Sequence, residues 1–375
     1  MTVRFIHADV LYDGSGAAPR RDCLIEIREG RIRSVTRAAA PKGARRVEIA
    51  APGFIDLQIN GAADVQFNDD PSVAALTRIA EGARRGGTTH LLPTFITAAD
   101  DAYRQALHAV REALAQKVPG VLGLHLEGPF LSPHRPGIHP AAAIRPATAT
   151  DLAALEQADI PLLLTLAPEE HPAGTVQRLT DAGVVVFVGH SVATAQELNA
   201  AVAEGLRGVT HLWNAMPPPQ GRAPGIVGRV LTHPQLFAGI IADGYHVDPL
   251  NLTLAARMMP DRLFLVSDAM RTFAGKVTAF DLMGTDVRLC DGRLTGPDGT
   301  LAGAHLGMDQ AVRVMVKAAG ISPQMALIMA STTPARVMGL DRELGRIAAG
   351  FRASLTFLSA DFRAQGGMVD GIAFG

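Results

Sequence analysis

Between residues 51 and 339 the chain falls repeatedly into short, largely apolar runs, most of which end at a polar residue: 54–60, 88–95, 121–127, 162–167, 184–190, 209–212, 237–243 and 263–268. Runs this short, apolar on both sides of a strand's two-residue period, predict strands covered on both faces, as in parallel sheets. Most lead into stretches with helical apolar spacing, at 72–85, 99–116, 193–204 and 249–258. Eight strands alternating with helices predict an α/β chain, a (β/α)8 TIM-type barrel over 51–339. An open doubly wound sheet is the rival, but no G-x-G-x-x-G turn follows the first run.

The two ends of the chain have a different pattern. Residues 3–12 lead to the turn pair Asp13-Gly14, 23–28 alternate apolar and charged positions, Glu29-Gly30 turns again, and 31–35 resume. This is hairpin patterning. The stretch 346–375 is similar, with an apolar run at 354–358. Segments 1–50 and 340–375 are therefore expected to pair as one small β-sandwich domain. Residues 277–301 hold two turn signals, Asp291-Gly292 and Asp298-Gly299, and predict a hairpin inserted after the eighth strand.

Composition narrows the function only by exclusion. Apolar residues make up 48% of the 375 and charged residues 19%, as in an ordinary globular protein. The net charge is −1 and there is no basic block, so neither nucleic acid nor an anionic membrane is an expected partner. No apolar run approaches the ~18 residues of a membrane span, and Met1-Thr2-Val3-Arg4-Phe5 lacks an apolar signal segment. Cys23 and Cys290 make no disulfide framework and read as packing residues in a reducing cytoplasm.

In a (β/α)8 barrel the strand ends gather around one mouth, where the chemistry is found. The polar residues at these ends are Gln58, Asn60, Thr94, Glu127, His190, His211, Asp243 and Asp268. Two imidazoles and a carboxylate, Glu127 with His190 and His211, suit one divalent metal with an open position. Zinc is the first expectation; iron and manganese accept the same donors. Such a metal acidifies water and polarises a carbonyl, and Asp268 beside it can carry protons. His125 lies two positions before Glu127 on the same strand face and reads as a supporting or packing residue. His7, His108, His134, His171, His233 and His305 fall on loops or helices and read as ordinary imidazoles. Three loop residues, His139, Arg222 and His246, could converge on a ligand over the mouth, the arginine suited to phosphate or carboxylate.

Together these segments resemble the N-acetylglucosamine-6-phosphate deacetylases of the amidohydrolase superfamily, over nearly the full length. The resemblance rests on Pro52-Gly53-Phe54-Ile55-Asp56-Leu57-Gln58-Ile59-Asn60-Gly61, His125-Leu126-Glu127-Gly128-Pro129, Gly189-His190-Ser191, Thr210-His211-Leu212-Trp213-Asn214-Ala215-Met216, Asp243-Gly244-Tyr245-His246 and Ser267-Asp268-Ala269, in the family's order. It implies that Glu127, His190 and His211 bind one metal and that Asp268 is general base, then general acid. It further implies that His139 polarises the acetyl carbonyl. Asn214 with the Ala215 backbone, Asp243 and His246 would serve the phosphate or sugar. Ile138 and the segment Leu301-Ala302-Gly303 would touch substrate, and Arg222 would reach the neighbouring subunit's phosphate in a homodimer. The implied reaction converts N-acetyl-D-glucosamine 6-phosphate to D-glucosamine 6-phosphate and acetate in amino-sugar catabolism. A galactosamine-type deacetylase, a D-aminoacylase and a non-catalytic sugar-phosphate-binding barrel are the alternatives.

The chain departs from the family pattern in three places. Gln58-Ile59-Asn60 stands where many amidohydrolases carry His-x-His, which implies a single metal, with Gln58 a candidate contact for the metal's water. An acidic residue common after the family arginine is absent beside Arg222, where Ala223 stands. The segment Gly303-Ala304-His305-Leu306-Gly307-Met308 replaces one usually rich in Ser and Thr, and His305 there bears on sugar choice.

Overall fold

The computed structural model describes residues 3–375; Met1 and Thr2, the start of the stretch read for a signal segment, lie outside the described residues. All eight expected barrel strands form, at Phe54–Ile59, Thr88–Ile96, Leu124–Glu127, Leu162–Leu166, Val185–Val188, Gly208–Val209, Phe237–Ile241 and Leu263–Val266. They pair in parallel and in sequence order. A parallel bridge between Ile59 and Ala269 joins the first strand to the eighth, and the Asp268 N–H donates to the Gln58 carbonyl at 2.9 Å. Asp56 clips the same seam, its Oδ1 accepting from the backbone N–H of Gln58 and of Ser267 at 3.2 Å each. Burial pushes this carboxyl up to about 7 against the pull of those bonds. Every residue of the first two strands is buried, which is why the sequence shows continuous apolar runs there rather than alternation.

The helices are set by local chemistry at their ends. Ser72 caps Val73–Ala83, Thr194 and Glu197 form a capping box on Ala195–Ala203, and Asp248 with Pro249 opens Pro249–Met258. The helix expected from residue 99 starts only at Tyr103. Asp100 is left-handed, φ 52°, so the chain turns before the helix can begin.

The chain ends pair as expected. Leu355–Leu358 lies antiparallel to Arg45–Pro52, inside a seven-strand order that runs from Ile372–Phe374 to Arg31–Arg37. This is the small β-sandwich domain flanking the barrel. Alternation in Arg20–Arg28 turns Cys23, Ile25 and Ile27 into its core. Cys23 is buried as read from the sequence, whereas Cys290 is exposed rather than the packing residue expected. The expected hairpin after the eighth strand is a four-stranded antiparallel sheet, Ala279–Leu282, Thr285–Cys290, Arg293–Thr295 and Leu301–Ala304. Its first turn is made by Met283 and Gly284, both at positive φ, and carries no Asp-Gly signal. Among the described residues no helix is long and apolar enough to cross a membrane.

Candidate metal centre and active site

The third, fifth, sixth and eighth strands deliver Glu127, His190, His211 and Asp268 to one mouth. Glu127 is the last residue of its strand, but the strands expected to run through the other three stop short, at Val188, Val209 and Val266. The reason is backbone: His190, His211 and Asp268 are left-handed, with φ 48°, 31° and 48°. A strand cannot continue through that conformation. It costs a non-glycine residue about 1–3 kcal/mol, and three such residues at one mouth mark a place where side-chain direction overrides backbone preference.

The Nε2 atoms of His190 and His211 are 3.1 Å apart and lie 3.2 and 2.9 Å from Oε1 of Glu127. All three side chains are buried, and their ligand atoms lie within 4.8 Å of one another. His190 Nδ1–H donates to the Arg135 carbonyl at 2.9 Å, which leaves the lone pair of the neutral ring on Nε2, facing the cluster. His211 Nδ1 is buried with no protein partner. The mouth opens into a cavity of about 220 Å³ lined by neither Arg nor Lys. Three buried donor atoms aimed at one point, with no arginine or lysine to neutralise the carboxylate, fit a divalent metal.

The charges support that fit. Burial works to raise the Glu127 carboxyl, but the two imidazoles facing it, His190 and His211, outweigh that and hold it well below the usual range. Burial likewise works to lower His211, and the Glu127 bond and charge, with Asp268 behind them, hold it above its ordinary value instead. A metal held here would compete with a proton on His211 Nε2. Burial, then the Glu127 charge, pushes Asp268 up to about 6, a value matched to taking and returning a proton near neutrality. Its Oδ1 accepts from Asn60 Nδ2 at 2.7 Å and Gln58 Nε2 at 3.2 Å.

Gln58 does more than its sequence reading allowed. Its amide nitrogen also donates to Glu127 Oε2 at 3.1 Å, so it bridges the two carboxylates. An NH2 group turned toward the cluster is a donor, not a ligand, which fits one metal rather than two. His125 is buried beneath the cluster between Thr94 Oγ1 at 3.0 Å and Thr165 Oγ1 at 2.8 Å. Burial pushes it down to about 4, so it stays neutral and supports the strand ends.

The structure brings Ile138, His139, Asn214, Ala215, His246, Leu301 and Gly303 to the cavity wall. Ala302 is buried behind the wall. Asp243 does not reach the cavity; its Oδ2 meets His246 Nδ1 at 2.6 Å and orients that ring. Arg222 is exposed on a tight turn closed by Gln220 and Ala223, away from its own chain's cavity. His305 sits outside as well, with Nδ1 3.0 Å from Thr272 Oγ1. Two supports escaped the sequence reading. Thr97 Oγ1 holds His139 Nδ1 at 2.8 Å, and a Cβ at Gly128 would lie 2.2 Å from that same oxygen, so glycine is needed there. His90, buried on the second strand, gives no sign in the sequence of its role; it serves the joint with the small domain.

Residues 49–373 match the family model described as the Amidohydrolase family. The N-acetylglucosamine-6-phosphate deacetylase of Haemophilus influenzae is 35% identical over 323 residues, 85% of this chain and 84% of the relative. The N-acetylgalactosamine-6-phosphate deacetylase of Escherichia coli O157:H7 is 34% identical over 351 residues, 92% of each. The crystal structure of N-acetylglucosamine-6-phosphate deacetylase from Pasteurella multocida superposes with a TM-score of 0.95 over all of both chains at 33% identity. The chain belongs to the amidohydrolase family.

Proposed function

We propose that this amidohydrolase removes acetate from a hexosamine 6-phosphate, and that N-acetyl-D-glucosamine 6-phosphate is the substrate. The observation that carries the reading is the pairing of Glu127, His190 and His211 with Asp268, joined to them through Gln58 and poised near neutrality. One divalent metal, zinc by its donor set, would be held by Glu127, His190 and His211 and would supply Lewis-acid polarisation and a more acidic water. Asp268 takes a proton from the attacking water and returns it to the departing nitrogen. His139 is neutral, because burial and then the neighbouring His190 hold it well below its ordinary value. It donates a hydrogen bond to the acetyl oxygen as charge develops there. Asn214, the Ala215 backbone and His246, oriented by Asp243, take the phosphate end, while Ile138 and the 301–303 segment flank the sugar.

The phosphate needs a cation, and the cavity of one chain has neither Lys nor Arg. The exposed Arg222, outside its own chain's cavity, supports a homodimer in which it completes the neighbouring site. The exposed thiol of Cys290 supports a cytoplasmic location. A second reading, with the galactosamine epimer as substrate, is favoured by the relative that matches 92% of this chain. A deacetylation assay on the N-acetyl 6-phosphates of glucosamine and galactosamine, and on the unphosphorylated sugars, decides between them. Turnover of the glucosamine ester well above the rest is expected. Equal turnover with and without phosphate would remove the roles given to Arg222 and His246.

A further inference from the structure

One side of this catalytic mouth is apolar, and its construction is tight. Ile96 ends the second barrel strand and Met270 follows the eighth, and both line the cavity next to Asp268. They flank the first strand, across the barrel from the fifth and sixth strands that carry His190, His211 and Asn214. Each is only 2% exposed. The Met270 thioether accepts from Gln66 Nε2 at 3.1 Å. Gly303 lies against the other end of that side chain, at φ +61°, where a Cβ would come within 2.7 Å of Met270 Cε. The Ile96 backbone is held at both of its polar groups by Asn68: its N–H donates to Oδ1 at 3.0 Å and its carbonyl accepts from Nδ2 at 2.9 Å. Behind both residues stand Phe280, Leu282, Val287 and Leu294 of the inserted sheet, in one buried cluster with them. Methionine usually adapts to what it meets; this one is pinned and backed by a close-packed core that cannot retreat.

An amide carbonyl carbon has three substituents. In the proposed reaction the oxygen belongs with His139 and the metal ligands, and the nitrogen carries the sugar past Asp268 toward Asn214 and His246. The alkyl group remains, and the apolar wall is the surface that takes it without stranding a polar atom. We infer that Met270 and Ile96 form an acyl-group subsite that accepts a methyl and stops longer chains, so that they set the enzyme's selectivity for acetyl. This rests on the deacylation reading above. It also gives the inserted sheet a task, since its apolar face is what keeps the wall from yielding.

The test compares kcat/KM for the N-acetyl, N-propionyl and N-butyryl forms of the preferred hexosamine 6-phosphate, in the zinc-loaded wild type, Met270→Ala and Ile96→Ala. The wild type is expected to prefer acetyl over propionyl by about tenfold or more, and either variant to narrow that ratio by about tenfold. Ile96→Ala opens the same space from the other side, so one folded variant suffices. A wild type that handles acetyl and propionyl alike overturns the subsite and leaves deacetylation standing. So do folded variants that keep the wild-type ratio. A wild type that turns over none of the three overturns both readings.

Discussion

At the barrel mouth, Glu127 faces His190 and His211; at the joint between barrel and small domain, Asp370 faces His90. Both carboxylates meet buried imidazoles, and the two places do opposite things. Asp370 is gripped by Arg352, Nε to Oδ1 at 2.7 Å and Nη2 to Oδ2 at 2.5 Å, and by Ser354 Oγ at 3.1 Å. His90 Nε2 stands off at 3.7 Å, and burial keeps its ring below its ordinary value and therefore neutral. A guanidinium fork fills the acceptors of Asp370 and leaves no donor atoms for an ion. At the mouth no arginine intervenes, and Oε1 of Glu127 and the Nε2 atoms of His190 and His211 converge on one point. What separates a site from a joint is the absence of a built-in guanidinium, not the number of histidines.

The sharpest way to break this comparison is to remove one carboxylate from the mouth at a time. Glu127→Ala is expected to lose both bound metal and turnover, whereas Asp268→Asn keeps its metal and loses turnover by about 10³-fold. Metal content by atomic absorption, measured beside the assay, separates them; stoichiometric metal in Glu127→Ala would undo the assignment of the centre. At the joint, Asp370→Ala is expected to lower unfolding stability by about 1–3 kcal/mol, a partly exposed pair being worth less than a buried one. Metal content and KM should not move. Urea unfolding measures the loss, and an altered metal content would mean that the two places are not independent.

The smallest effect is in pH. Burial works to raise the Asp370 carboxyl, but the nearby His90 ring and the Arg352 bonds hold it well below the usual range. A carboxyl lowered by folding contributes stability that is fully present above its unfolded value, about 3.9, and is lost as pH falls below that toward the folded value. Thermal melts of the wild type should therefore decline more steeply below about pH 4 than those of Asp370→Asn. Parallel declines would show that the joint contributes nothing to acid stability.

Much of this was legible in the chain before folding. The eight apolar runs located all eight strands, because strands buried on both faces must be apolar throughout. The trio of Glu127, His190 and His211 was legible because polar residues at the ends of such runs have few structural reasons to be there. His90 was not, since a polar residue within a run looks the same whether it points at a cavity or at another domain. The bridge made by Gln58 was also hidden, because its amide direction depends on Glu127 and Asp268. The strand ends at His190, His211 and Asp268 were drawn too long, because a left-handed φ in a non-glycine residue leaves no compositional mark.

The sequence by itself determined the architecture and singled out Glu127, His190, His211 and Asp268 at the ends of the strands, since periodicity and residue type are local properties that survive in a linear record. Tertiary structure alone decided that Glu127, 63 residues from His190 and 84 from His211, shares one point with them. It also decided that Arg222 lies outside its own chain's cavity and that Met270 is pinned into a wall. Each of those depends on atoms brought together by closure of the barrel, where distances of a few ångströms, invisible along the chain, determine which groups compete for the same hydrogen bond, charge or space.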